Sequence, residues 1–313
     1  MTAASEAPAP GTAAREGAAA LGLRARFWRS EELRGLTLIS PTFLYALLLL
    51  LTPILVIIAF SFWTQNYLDI DHTPTLQNYR EAWTDPLYRV LMFRSLGVSA
   101  LVTLITVVLA YPMAYYLSFH VTHRKALWLF LITIPFWTSY LLRVFAWKLI
   151  LGYDGVINSG LKQMGLLEQP LEFLLYNQFS VVVTLAHAWV AFAILPIYVS
   201  MEKIDRSLLE AASDLGDSPW RRFWRITFPL SLPGLVAAAL LVFIPTVGDY
   251  VTPALVGGTD GIMLGSLIQT LFGKVNNMPL GAASALMMML TVTLLVCLFL
   301  GGVQVVRKLA QRV

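Results

Sequence analysis

Three charged side chains, Arg143, Lys148 and Asp249, sit within runs otherwise apolar enough to cross a bilayer. Charge at that depth is expensive and faces a bundle interior or water. Asp249 is the residue able to serve a cation. Its carboxylate is a counter-ion, and the adjacent Tyr250 offers a ring face for cation–π contact worth about 0.5–2 kcal/mol. Gly248, with Pro245 and Pro253 to either side, predicts a broken helix, and irregular backbone is tolerated at membrane depth where it lines a cavity. Trp137 and Tyr140 can add aromatic walls. Arg143 cannot attract a cation. It can pair with a carboxylate, Asp249 among them, and hold its span in register, or it can line a gate. Lys148 suits a snorkelling position at a span end, and His187 and Trp189 read as packing residues.

Covalent chemistry has no comparable support. No G-x-x-x-x-G-K-[ST] occurs, and the nearest fragment, Gly273-Lys274, is followed by Val275, so no P-loop is expected in this chain. H-E-x-x-H and G-x-S-x-G are also absent. His120 and His123 stand without another His, Cys or carboxylate close by in sequence and read as an interfacial flank, not a metal site. The single cysteine, Cys297, excludes a disulfide framework within one chain. We expect no catalytic residue, metal or cofactor here.

The elements that position these residues follow from composition. The 313 residues are 58% hydrophobic and 13% charged, with mean hydropathy +0.70, whereas soluble domains run near 25% charged. The reading is an all-α, polytopic membrane protein. Apolar runs predict six spans at roughly 38–62, 95–118, 126–151, 180–200, 233–256 and 282–303. Counted along a straight third span from Ala126, Arg143 lies about two-thirds of the way across. Residues 1–36 form a cytosolic tail before the transmembrane domain 37–313. Its first 20 residues have almost nothing to bury. Next, Leu23, Phe27 and Trp28 oppose Arg24, Arg26 and Arg29, the pattern of an interfacial amphipathic helix or of a charged flank to the first span.

The net charge of +4 is a topology signal and not a nucleic-acid footprint. With the N-terminus inside, fifteen of the 22 Lys and Arg are cytosolic and five are outside, so both termini are expected in the cytosol. The outer segments carry eight acidic residues against those five.

Between the fourth and fifth spans lies the most informative cytosolic stretch, residues 202–229. It reads as two short helices. Ser207 with Glu210 three residues on forms a capping box for the first. Ala211 and Ala212 offer a small surface for close approach, and Gly216 suits a left-handed turn ending the helix. Ser218 and Pro219 start the second helix. Leu208, Leu209, Leu215, Trp220, Phe223 and Trp224 supply apolar surface amid charge, which fits docking to lipid headgroups or to a soluble partner.

The spacing Glu-Ala-Ala, three residues, Gly, nine residues, Ile-x-Leu-Pro resembles the signature loop of ABC importer permeases. The matching residues are Glu210, Ala211, Ala212, Gly216, Ile226 and Pro229, with Phe228 where the pattern has Leu. The resemblance covers roughly residues 40–310 and narrows to the spermidine/putrescine permeases, to the first of their two subunits. It does so through Asp85-Pro86-Leu87-Tyr88, Ala110-Tyr111-Pro112-Met113-Ala114-Tyr115, Pro135-Phe136-Trp137-Thr138-Ser139 and the segment from Ile244 to Gly258.

The resemblance implies a bacterial plasma-membrane subunit importing a polyamine, with another small amine, an aminophosphonate or a metal ion as alternatives. It also implies a second homologous permease and an extracytoplasmic binding protein. Two partner ATPases would hold ATP and Mg and act through the 203–225 loop. A different class, the ion-coupled secondary transporter, would leave that loop unexplained and lacks a visible internal repeat.

Overall fold

The computed structural model describes residues 31–67 and 69–310. The tail before residue 31, with most of the expected surface helix, lies outside the described residues. Helix α1 runs Glu31–Ser61, with Pro41 and Pro53 inside it. The described residues up to Ala59 form one compact unit and those from Phe60 a second, which holds all the elements below.

A small antiparallel hairpin, β1 (Thr64–Asn66) and β2 (Asp69–Asp71), pairs Thr64 with Asp71 and Asn66 with Asp69. It is a minor departure from the expected all-helical chain. Helix α2 (Gln77–Thr84) leads into α3 (Pro86–Phe119). Asp85 caps α3 by accepting from the Leu87 N–H at 2.8 Å, and Pro86 opens its first turn. This start signal carries α3 well beyond the apolar run that marks its membrane portion.

The expected straight third span is two pieces. Helix α4 (Lys125–Thr133) passes through a 3-10 turn, Ile134–Trp137, and extended residues Thr138 and Ser139 before α5 (Tyr140–Leu151) begins. Across this break Lys125–Trp137 and the stretch Tyr140–Gln163 are bent by 83°. Pro135 has no N–H to give and crowds the preceding turn, which is sufficient cause. Arg143 therefore follows a bend, and its depth cannot be counted along one axis. Beyond it lie α6 (Val156–Gln163) and α7 (Gln178–Glu202). An Asn177–Ser180 capping box starts α7.

Helix α8 (Arg206–Asp214) lies outside the spans, and the next helix, α9, runs Pro219–Val247. Then come a five-residue wide turn, Pro253–Gly257, the short α10 (Leu264–Gly273) and the last span, α11 (Met278–Ala310). At about 1.5 Å per residue α10 is too short to cross a bilayer; the sequence reading has this stretch as an outer loop. Among the described residues five helices are long and apolar enough to span, and the count is six when the bent pair Lys125–Trp137 and Tyr140–Gln163 is taken as one span.

The core sits where α3, α7 and α9 pack together. Val98, Val102, Val181, Leu185, Ile194, Ile197 and Val242 fill it, and Ala110, Ala114 and Ala193 let the helices approach closely. Tyr111 of α3 and Ser231 of α9 share a hydroxyl hydrogen bond of 2.9 Å within this packing. A second cluster, Ala82, Tyr88, Leu91, Leu264, Leu271 and Leu280, binds α2 and α10 to α3 and α11.

Candidate substrate path and coupling loop

Two interrupted spans meet in the bundle. Helix α9 stops at Val247, with Pro245 in its last turn and Gly248 as its cap. This is the break expected from Pro245, Gly248 and Pro253. Across from it, α5 begins at Tyr140 immediately after the break in span three. The Tyr140 hydroxyl donates to Asp249 Oδ2 at 2.6 Å. Its single proton being used there, the 2.6 Å contact with Thr252 Oγ1 has threonine as donor. Asp249 Oδ1 also accepts from the Val251 N–H at 3.0 Å. These bonds to a carboxylate are charge-assisted, and they define the resting position of Asp249.

Arg143 supports this cluster from behind. Its guanidinium stands 5.5 Å from the Phe136 ring centroid and 5.9 Å from that of Tyr140, while Nη1 donates to the Ala188 carbonyl at 3.1 Å. A carbonyl and two ring faces thus take the place of the expected carboxylate, and the Asp249 side chain is held by Tyr140. Trp189 packs 6.4 Å from Tyr140, and His187 lies edge-on to Trp147 at 5.4 Å. Lys148 Nζ sits 6.0 Å from the Tyr176 ring. Trp137 is apart from the group: 77% exposed, it meets Phe130 edge-on.

Tyr250 turns the other way. It lines an open groove of about 750 Å³ together with Gly248, Gln269, Phe272, Met288 and Cys297. The start of α10 backs the break: a Cβ on Gly265 would lie 2.8 Å from the Gly248 carbonyl oxygen and 2.9 Å from that of Asp249. Thr252 and Gly265 are site residues that sequence reasoning missed. Thr252 lies three residues from Asp249, but nothing local says that a distant tyrosine reaches it.

The cytosolic loop is shaped at both ends of α8. Asp205, not Ser207, is its N-cap, and its side chain accepts from the Ser207 N–H at 2.9 Å. That backbone N–H, with the Ser207 side chain, holds the Asp205 carboxyl below its usual range. The N-cap therefore lies two residues before the expected Ser207, and with Leu208 as the third helical residue it is a single cap in place of the expected Ser207–Glu210 capping box. At the other end Gly216 adopts φ +84°. Its N–H bonds to the Ser213 carbonyl, and the Asp217 N–H bonds to that of Ala212, both at 2.9 Å, closing a left-handed helix end. Glu210 and Ala211 are exposed, but Ala212 is buried at 8%. Only one of the two alanines is offered to a partner.

Ser218 and Pro219 start the following helix as expected, but it does not end. It passes through a widened stretch, Phe223–Thr227, where the Phe228 N–H reaches back five residues to Phe223, and continues as the span. The wide turn accommodates Pro229, which has no N–H for a regular ladder. Ile226 lies in the wide stretch, and Asp217 pairs with Arg225 at 3.3 Å and Arg221 at 3.8 Å.

Residues 75–311 match the family described as the binding-protein-dependent transport system inner membrane component. The chain belongs to this family. The permease is 35% identical over 263 residues to the spermidine/putrescine transport system permease protein PotB of Haemophilus influenzae, covering 83% of this chain and 91% of that protein. It is 34% identical over 257 residues to PotB of Escherichia coli K12, covering 82% and 92%. Its fold is similar to a chain of a bacterial ABC transporter involved in the import of the acidic polysaccharide alginate, with TM-score 0.66 at 16% identity over 90% of this chain and 97% of that one. This permease is thus an all-α, multi-pass membrane subunit of an ABC importer and not an enzyme. Among its described residues no three His, Cys, Asp or Glu side chains gather as metal ligands.

Proposed function

We propose that the permease forms part of an inward path for a small polyamine, with Asp249 as the counter-ion met by the passing ammonium. The substrate class is supported by the two relatives above, both spermidine/putrescine permeases by name. The path is supported by one observation above the others: the Asp249 carboxylate lies on non-helical backbone between two helix breaks, with Tyr140 as its partner. An ammonium that reaches Asp249 gains a counter-charge in place of the Tyr140 hydroxyl. When it leaves, the Tyr140 hydroxyl is at hand, so Asp249 is never left buried without a partner.

In this reading Glu210, Ala211 and the turn at Gly216 dock one of two ABC ATPases, which hold ATP and Mg. Ala212, Ile226 and Pro229 set the shape behind that surface. A second homologous permease completes the path. An extracytoplasmic binding protein delivers the substrate, in keeping with the family's description. Residues 1–36 are a cytosolic tail and 37–313 the membrane domain of a bacterial plasma-membrane protein. The excess of Lys and Arg on one side supports cytosolic termini.

The test is uptake of radiolabelled spermidine and putrescine by liposomes carrying the assembled complex, with an aminophosphonate and a ferric salt as competitors. Saturable polyamine uptake is expected. Uptake of neither polyamine, with transport of one of the competitors, would replace the polyamine by that substrate.

A further inference from the structure

A polar knot at the inner ends of the spans has no part in the roles above. Lys125, the first residue of α4, directs Nζ at both carboxylate oxygens of Glu202, the last residue of α7, at 2.7 and 3.0 Å. The same Nζ donates to the Ser118 carbonyl at 3.1 Å, and the Ser118 hydroxyl donates to Glu202 Oε2 at 3.2 Å. Arg206, the first residue of α8, donates from Nη2 to that Ser118 carbonyl at 3.3 Å. Ser118 lies in the last turn of α3, where carbonyls lack partners within the helix. The starts of α4 and α8 therefore converge on one backbone oxygen at the end of α3, and α7 joins them through Glu202, which takes Lys125 and the Ser118 hydroxyl.

We infer that Lys125 and Glu202 are positioning residues for transport, a clasp through which movement of α8 reaches the break in span three. The inference rests on reading α8 as the ATPase-docking helix. Its physical basis is how lightly α4 is packed: it has no fully buried side chain, only Leu129 and Ile132 partly buried against the core, whereas a lysine bonded to two carboxylate oxygens and a carbonyl is a directional tether. Glu202 also balances two cations drawn to one carbonyl. Removing its charge leaves Lys125 and Arg206 facing each other and drives α8 away from α4. From α4 the chain leads through Pro135 and Ser139 to Tyr140, whose hydroxyl holds Asp249.

The experiment compares Lys125→Glu, Glu202→Lys, the double swap and the milder Lys125→Gln in the complete reconstituted complex. It reads substrate imported per ATP hydrolysed, with ATPase co-purification as the control for assembly. Each single change is expected to lower the ratio at least about fivefold, the low end of usual coupling between sites, with ATPase recovery unchanged. The double swap is expected to restore most of it. An unchanged ratio in Lys125→Gln, or a fall that the double swap does not restore, overturns the clasp. Failure of the coupling-loop reading looks different: a Gly216→Val complex then keeps its ATPases and its uptake, whatever the ratio in the clasp variants.

Discussion

The Tyr140 hydroxyl and the Asp249 carboxylate, 109 residues apart in the chain, meet at 2.6 Å. Each lies beside a helix break, one made by Pro135 and the extended pair Thr138–Ser139, the other by Gly248 after Pro245. Backbone freed from helical bonding is costly in a bilayer unless protein or a cavity receives it. Joining the two breaks gives both their support and puts the Asp249 carboxylate where the helices are least regular.

Asp249→Asn keeps the shape and the acceptor for the Val251 N–H but removes the charge. Hydrogen bonds to charged groups are worth about 1.5–3 kcal/mol, so initial uptake at saturating loaded binding protein should fall roughly tenfold or more. Membrane insertion and ATPase co-purification should persist. Normal transport kinetics would take Asp249 out of the path.

Tyr140→Phe retains the ring that Arg143 faces and deletes only the hydroxyl. Uptake should fall several-fold, on the order of what a charge-assisted bond contributes. If the hydroxyl acts through Asp249, the double variant with Asp249→Asn should be no worse than Asp249→Asn alone, the non-additivity of a coupled pair. Additive losses in that cycle would assign Tyr140 a separate role.

The legible and illegible parts of this protein divide by range. Span centres follow from apolar run length, and the break at Asp249 follows from Gly248 and two prolines close around it. Helix ends were harder. Arg89 and Arg94 interrupt the hydropathy of α3 without interrupting its helix, which Asp85 and Pro86 start earlier. Pro135 sits in so apolar a run, Ile134-Pro135-Phe136-Trp137, that the hydropathy profile passes straight over a bend of 83°. At α8 two acceptors two residues apart compete for the same role, and Asp205 takes it from Ser207. Thr252, Gly265 and the clasp of Lys125 with Glu202 depend on partners far along the chain, for which no local pattern exists.

Gly216→Val tests the coupling loop through backbone alone. No atom lies within 4 Å of where a Cβ would stand, yet φ is +84°. The harm is therefore conformational, since a β-branched residue strongly disfavours that region at a cost of about 1–3 kcal/mol. Uptake should be lost and ATPase association weakened at nearly unchanged membrane abundance, with the same outcome for Glu210→Lys at the exposed face of α8. Full uptake and intact co-purification in both variants would sink the docking role.

Gly265→Ala tests whether α10 sets the position of Asp249. A methyl there would lie 2.8 and 2.9 Å from the carbonyl oxygens of Gly248 and Asp249, closer than such contacts allow, and both obstacles are backbone. The break or α10 must move, and overpacking of this kind costs about 1–3 kcal/mol. Because the displaced carbonyl belongs to Asp249 itself, the shift passes directly to the carboxylate and to its 2.6 Å bond with Tyr140. Gly160→Ala is the matching control, with no atom within 4 Å of its added methyl. Gly265→Ala should lower uptake about tenfold while ATPase co-purification stays at the level of the control. Because that loss acts through Asp249, adding Gly265→Ala to Asp249→Asn should cost little more. A full further loss in the double variant would mean that α10 serves the groove at Tyr250 independently of Asp249.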